Sequence, residues 1–249
     1  MALKIFGALV DRILLFSCII APMKLSVIIP AFNEVNTIRE IVHRVQAVNL
    51  ADEIVIVDDG STDGTRDILA DLNGKGGVRV VLHNRNQGKG AAVRTGIEHA
   101  TGDVMLIQDA DLEYDPRDYA ALLKPLNEEI ADVVYGSRFL GAARRPILFW
   151  NMVANKILTL VTNILYNNIL TDMETGYKVF RRQVVQHLTL HARGFEFEPE
   201  FTAKILKQKV RIFEVPITFN PREYSEGKKI KMKDAFIAMW TLFKYRFVD

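Results

Sequence analysis

Short apolar runs, each closed by a polar cluster, recur along the first half of the chain. Leu25 to Ile29 ends at Pro30, and Glu53 to Val57 runs into Asp58-Asp59-Gly60-Ser61-Thr62-Asp63-Gly64-Thr65. Val78 to Leu82 precedes Asn86-Gln-Gly-Lys-Gly90, and Val104 to Ile107 ends in acids two apart, Asp109, Asp111, Glu113 and Asp115. These β-branched runs predict buried strands. Between them, Ile38, Ile41, Val42 and Val45, then Ile68, Leu69 and Leu72, then a segment reaching about His99, follow helical spacing. Thr37 and Glu40 have the spacing of a capping box for the first of these helices. Strands alternating with helices predict an α/β fold, a mainly parallel sheet with helices on both faces. Ligands of such sheets bind beyond the carboxyl ends of the strands.

The second half departs from this rhythm. After Asp115-Pro116 a helix through Leu126 leads to a strand, Asp132 to Arg138. Pro146 then opens a long apolar stretch, about 146–168, whose polar residues Asn151, Asn155, Thr159, Thr162 and Tyr166 draw one narrow stripe along a helix. A helix apolar around most of its girth needs a deep core, a second copy of the chain or lipid, and here the membrane interface is an expectation. Tyr177 to Phe180 reads as a strand. Glu196-Phe-Glu-Pro-Glu200 opens a helix in which acids favour the first turn, and Lys209 to Phe219 reads as an edge strand interrupted by Pro216. Met232 to Phe247 carries Ala235, Phe236, Met239, Trp240, Leu242, Phe243 and Phe247 as an apolar face with basic neighbours, which suits anionic lipid.

Composition narrows the class. The 249 residues, 49% of them hydrophobic, suffice for one large domain. With 32 basic and 30 acidic residues there is no general affinity for nucleic acid, yet Arg222 to Arg246 holds seven Lys or Arg against three Asp or Glu. Cys18 is the one cysteine, so no internal disulfide forms and no thiolate metal site is expected. Residues 1–22 form an apolar leader. Its uncharged part, Ile13 to Ala21, is too short for a bilayer of about 30 Å. It reads either as a segment resting on a membrane or as an upstream start before Met23. The expected organisation is thus leader 1–22, catalytic domain 23–222, and a basic loop with an amphipathic helix over 223–249.

The chemistry lies where strands end. If the chain stays extended past Ile107, Asp109, Asp111 and Glu113 point to one side, and carboxylates that close call for a hard divalent ion such as Mg²⁺ or Mn²⁺ shared with substrate phosphates. Asp58 or Asp59 can accept from base and ribose donors, and Lys89 can face negative charge. Thr171-Asp172-Met173-Glu174-Thr175-Gly176 adds two carboxylates beside a glycine. Clusters recurring at successive strand ends predict a nucleotide-diphosphate site. Neither glycine-rich segment has the spacing of a P-loop or a dinucleotide fingerprint.

Val27-Ile-Ile-Pro-Ala-Phe-Asn-Glu34, Val57 to Thr65, Asn86-Gln-Gly-Lys-Gly90, Asp109-Ala-Asp111 and Gly136-Ser-Arg138 together resemble the family 2 glycosyltransferases of GT-A fold. Thr171 to Lys178 and Pro221 to Lys229 point within that family to the polyprenyl-phosphate sugar transferases. The resemblance spans residues 24–247 and implies roles residue by residue. Pro30, Phe32, Glu34 and Asp59 would line base and ribose. Asp109, Asp111 and Glu113 would hold the metal, with Glu113 standing where relatives often carry Gln. Arg138 and Arg222 would address phosphates, and Lys228 and Lys229 would close over the donor. The implied reaction moves a hexose from a UDP- or GDP-sugar to a polyprenyl phosphate, with inversion, on the cytoplasmic face of a membrane. The alternative is a hydroxyl acceptor, with Asp172 or Glu174 as base. Oligomeric state stays open, a homo-oligomer included.

Overall fold

The computed structural model describes residues 23–141, 149–222 and 232–248. Seven strands form one sheet: β1 (Leu25–Ala31), β2 (Glu53–Asp58), β3 (Val78–Leu82), β4 (Val104–Ile107), β5 (Val133–Ser137), β6 (Lys178–Arg181) and β7 (Ile212–Pro216). Their order is β3-β2-β1-β4-β6-β5-β7. All neighbours are parallel except β6, which runs antiparallel to both β4 and β5. The predicted sheet is therefore present, with one reversed strand inside it. That reversal matters for the site. The segment entering β6 arrives at the same edge where the other strands leave, so residues 171–177 join the loops after β1, β2, β4 and β5.

Side chains of β1 alternate between two cores. Val27 and Ile29 pack with α1 (Ile38–Ala47), α2 (Thr65–Leu72) and α4 (Tyr119–Asn127), the last preceded by a short 3₁₀ turn at Pro116–Asp118. Ile28 faces α3 (Lys89–His99), the short α6 (Arg182–Val185) and α7 (Phe197–Lys207), joined there by α5 (Phe149–Tyr166) and α8 (Met232–Phe247). This gives three layers, helix, sheet and helix, as the period-2 strands require. Pro30 extends β1 further than its sequence implied. It pairs with Val57 on the β2 side, while β4 ends opposite Ile28, so on that side the missing N–H breaks no ladder bond.

Two local expectations are corrected. Thr37 and Glu40 form no capping box: the Thr37 hydroxyl donates to Glu34 Oε2 at 2.9 Å, and Glu40 accepts from Arg44 Nε at 2.6 Å. The long edge strand narrows to Ile212–Pro216.

The polar stripe of α5 faces inward. Asn155, Thr159 and Thr162 are buried, whereas Trp150 (75% exposed), Ile157, Leu160 and Ile164 face out. The reason lies in the segment beneath, whose backbone needs partners. Thr159 Oγ1 accepts from Met173 N at 3.1 Å, Asn163 exchanges two hydrogen bonds with the Leu170 backbone, and Tyr166 OH donates to Leu242 O at 2.8 Å. Helix α8 packs against α5 and α7 through Ala238, Thr241, Leu242 and Tyr245. Phe236, Trp240 (69% exposed) and Phe247 point outward. The apolar residues of α8 thus divide between two faces rather than forming the single face expected. Among the described residues no helix is long and apolar enough to cross a membrane.

Candidate active site

The loops after β1 and β2 knit together before any ligand arrives. Asn33 N donates to Ser61 Oγ at 2.9 Å, Thr62 N to Asn33 Oδ1 at 2.9 Å, and Glu34 N to Thr65 Oγ1 at 2.9 Å. Asp58, fully buried, accepts from Gly60 N, Ser61 N and Arg66 Nε, the last at 2.7 Å. It organises its own turn, so the expectation that Asp58 offers its carboxylate to a ligand gives way to a structural role. Asp59 is also buried, accepting from Gln87 N at 2.9 Å and Gly88 N at 2.7 Å, with His83 Nδ1 at 2.7 Å. Asp59 therefore ties the 86–88 loop to the end of β2. Pro30 and Phe32 are half-buried beside these loops.

The glycines flanking Lys89 serve close packing. Gly88 has φ +99°, and a Cβ there would overlap the carbonyl of Arg193. Gly90 N and Ala91 N, the first donors of α3, go to the carbonyls of Gly194 and Arg193 at 3.2 and 3.1 Å. Lys89 is what this turn presents. Its Nζ sits 2.8 Å from Asp109 Oδ1 and 3.0 Å from Glu198 Oε1. Burial disfavours its charge, but Asp109 and Glu198 outweigh that and hold the ammonium well above its usual value.

Past β4 the chain turns instead of staying extended. Leu112 adopts φ +63°, a left-handed conformation that costs a non-glycine residue energy. The alternation that was to align Asp109, Asp111 and Glu113 breaks there. Glu113 Oε1 accepts from the backbone N of Arg222 at 2.8 Å, while Arg222 Nη2 reaches Asp111 Oδ2 at 2.9 Å and Nη1 reaches Glu34 Oε2 at 3.4 Å. Among the described residues no three carboxylate or imidazole groups converge on one metal position. The acids nonetheless fit a hard cation. The Asp111 carboxyl is pushed up to about 7 by burial first, then by the charges of Asp109 and Glu113, against the pull of Arg222. Buried negative charge in excess, with oxygen donors alone and an arginine already drawn into it, suits Mg²⁺ or Mn²⁺ completed by substrate phosphates.

The reversed β6 delivers the remaining groups. Asp172, fully buried, accepts from Arg138 Nε and Nη2, both at 2.7 Å, from Arg138 N at 3.0 Å and from Asn155 Nδ2 at 2.9 Å. Burial acts to raise its carboxyl, but the Arg138 charge and these hydrogen bonds prevail and hold it below the usual range. Glu214 of β7 accepts from Thr171 N and Asp172 N and so fixes the loop. Gly176 lies against Asp109. A Cβ there would overlap Asp109 Oδ2 and come within 2.9 Å of the Tyr114 ring, whose hydroxyl accepts from Gly176 N at 3.0 Å. Lys178 is buried, its Nζ donating to the carbonyls of Met173 and Thr175. Burial lowers its ammonium, opposed by Glu198 and Glu174. Glu174 is raised by burial and next by Glu198.

Of the three acids opening α7, Glu196 and Glu200 accept backbone N–H groups of residues 191–194. Glu198 alone reaches the site. Sequence reasoning missed it, although a signal was there: Glu196 and Glu200 are four apart and share a helix face, and Glu198, two from each, points away from them. The structure brings together Glu34, Lys89, Asp109, Asp111, Arg138, Asp172 and Arg222 as expected, with Glu113 held aside by the Arg222 backbone. Lys228, Lys229 and the 1–22 leader lie outside the described residues.

Carboxylates facing arginines and a lysine at the carboxyl edge of a mainly parallel sheet belong to a known class of fold, GT-A. Glucosyl-3-phosphoglycerate synthase from Mycobacterium tuberculosis, solved with Mn²⁺, UDP and glucosyl-3-phosphoglycerate, superposes with a TM-score of 0.73 over 92% of this chain and 82% of its own, at 20% identity. The chain belongs to glycosyl transferase family 2, whose profile matches residues 26–189. It is 33% identical over 221 residues to a dolichol-phosphate mannosyltransferase of Pyrococcus furiosus, covering 86% of this chain and 61% of that protein. It is 31% identical over 238 residues to a UDP-N-acetylglucosamine–dolichyl-phosphate N-acetylglucosaminyltransferase of Methanococcus voltae, covering 86% and 93%. The chain thus spans about three fifths of the length of the first relative and most of the second.

Proposed function

We propose that this chain transfers a hexose from a UDP- or GDP-sugar to a polyprenyl phosphate, inverting the anomeric centre. One observation carries the choice of acceptor: Asp172, the first of the two acids that could serve a hydroxyl acceptor as base, is saturated by Arg138 and Asn155. A phosphate monoester needs no such base. Its second pKa is about 6, so at neutral pH it is already an anionic nucleophile. Such an acceptor requires cationic positioning, and the site holds two guanidinium groups, Arg138 on Asp172 and Arg222 on Asp111. The names of the Pyrococcus and Methanococcus relatives support the same acceptor class.

In the reaction an acceptor phosphate oxygen bonds to C1 of the sugar as the bond from C1 to the diphosphate oxygen breaks. An α-linked donor yields a β-linked lipid phosphosugar and a nucleoside diphosphate. A divalent ion held by Asp109 and Asp111 would neutralise charge building on the departing diphosphate. Asp59 keeps the 86–88 loop in place beside the nucleotide, and Lys89 sets the position of Asp109. Arg222 exchanges its carboxylate partners for phosphate. The outward apolar residues of α5 and α8 support a peripheral seat on a membrane surface, which would bring the site to a lipid-linked acceptor, and the cytoplasmic face is part of this proposal.

The test is incubation of the full chain with polyprenyl phosphate, Mg²⁺ or Mn²⁺, and radiolabelled UDP- and GDP-sugars, counting label extracted into organic solvent. Metal-dependent lipid label that vanishes in Asp111→Ala is the expected result. Label transferred to a hydroxyl of a sugar or glycan, with nucleoside diphosphate released and no lipid label, overturns the phosphate acceptor and makes Glu174, the other acid of that loop, the base to examine.

A further inference from the structure

Two buried carboxyl oxygens at this site have no hydrogen-bond partner among the described residues, Glu174 Oε1 and Glu198 Oε2. Buried polar atoms are rarely left so, and an orphan of this kind calls for a ligand or water. Glu198 is 5% exposed, and its other oxygen holds Lys89. Through Lys89 it is one nitrogen away from Asp109. Glu174 feels the charge of Glu198, and the loop that carries it lies against the Asp109 carboxylate at Gly176, two residues on. Glu198 and Glu174 therefore lie near the acid expected beside the donor diphosphate, joined to it through Lys89, whereas the ion pairs of Arg222 go to Glu34 and Asp111. In a nucleotide-sugar the diphosphate carries the ribose at one end and the hexose at the other; with base and ribose assigned to Pro30, Phe32, Glu34 and Asp59, the hexose is the end left for Glu174 and Glu198.

We infer that Glu174 and Glu198 form a subsite that accepts hydrogen bonds from hydroxyl groups of the donor hexose and selects a neutral sugar over a hexuronate. This deepens the reading above and rests on it. Carboxyl oxygens are acceptors, and sugar hydroxyls are the donors that match them. A uronate would bring a further carboxylate against the charges of Glu198 and Asp109, beside a Glu174 carboxyl whose ionisation burial and Glu198 already oppose. The two ammonium groups present are already engaged, Lys89 by Asp109 and Glu198, Lys178 by two backbone carbonyls. Desolvated like charges without a new counter-ion are strongly disfavoured.

Calorimetry on the full chain with Mn²⁺ decides it, using UDP, UDP-glucose and UDP-glucuronate, with GDP and GDP-mannose in parallel. The wild type is expected to bind the neutral sugar nucleotide at least about tenfold more tightly than the uronate. Glu198→Gln, the same shape with one acceptor replaced by a donor, should weaken the sugar nucleotide about tenfold or more and leave the nucleoside diphosphate unchanged, as loss of a charged hydrogen bond predicts. Equal weakening of both shows that Glu198 acts only through Lys89 and overturns the subsite. So does equal binding of glucose and glucuronate donors by the wild type, a comparison that needs no variant. Should Glu198→Gln not fold, Glu174→Gln supplies the same contrast. A wild type that binds the nucleotides without discriminating their sugars brings down the subsite alone, whereas one that binds none brings down the donor reading as well.

Discussion

The Arg138 guanidinium grips Asp172 with two parallel hydrogen bonds, Nε to Oδ2 and Nη2 to Oδ1, each 2.7 Å. Asp172 is wholly buried, so its charge has no water to fall back on. Removing one member strands the other, and a broken buried pair costs about 3–5 kcal/mol. Asp172→Asn should lower unfolding free energy at pH 7 by that order. Because the native carboxyl sits below its usual range, its stabilisation is full above the unfolded pKa of about 3.9 and disappears as pH falls through the native value. Urea titrations at pH 7 and pH 3 check this: the gap between wild type and variant should shrink in acid.

Asp111 behaves in the opposite sense. Its carboxyl is raised to about 7 by burial and by Asp109 and Glu113, so the folded protein takes up a proton there that the unfolded chain does not. Without metal, this group favours folding at lower pH and loses that contribution as pH rises through about 7. A divalent ion competes with the proton, so Mn²⁺ affinity should climb between pH 6 and pH 8. Electron paramagnetic resonance titration of free Mn²⁺ measures it, and Asp111→Asn should flatten the dependence. A wild-type affinity independent of pH would sink the assignment.

Gly176→Ala inserts a methyl group where Asp109 Oδ2 lies. Overpacking of this kind costs about 1–3 kcal/mol, so the fold should survive. Displacing Asp109 should nonetheless lower kcat/KM on the order of a hundredfold, as small misplacements of reacting groups do. Unchanged turnover in a folded variant would show that Asp109 is not held in place by this contact.

Trp150 and Trp240 stand on the outer faces of α5 and α8. If these faces rest on lipid, replacing both with Ser should reduce co-sedimentation with anionic phospholipid vesicles at least about tenfold, since burying one large apolar side chain is worth about 1.5–3 kcal/mol. Equal sedimentation of both proteins would remove the membrane reading.

Much of this was legible in the chain because β1 to β4 are continuous β-branched runs and their polar ends must gather on one edge. Strand β6 was not legible in direction. Its residues, Lys178 to Arg181, carry no mark of which neighbours they pair with, and only the slot between β4 and β5 reverses them. The stripe on α5 was visible but not its orientation, because what decided it was the unpaired backbone of residues 170–173, a tertiary demand. The metal acids were found by type and spacing, yet one backbone torsion at Leu112 undid the assumption that they stay aligned. Asp58 shows the converse limit: an acid beside a glycine turn serves the turn as readily as a ligand.

The reversed strand also sets an order of assembly during translation. Strands β1 to β4 pair with one another through local crossovers and can close as soon as they leave the ribosome. The far side of β4 then stays an unpaired edge until Lys178–Arg181 has been synthesised, and β5 with β7 hangs on β6 alone. A nascent chain stalled inside α5 would expose that edge next to an apolar helix face, the combination that most invites intermolecular pairing.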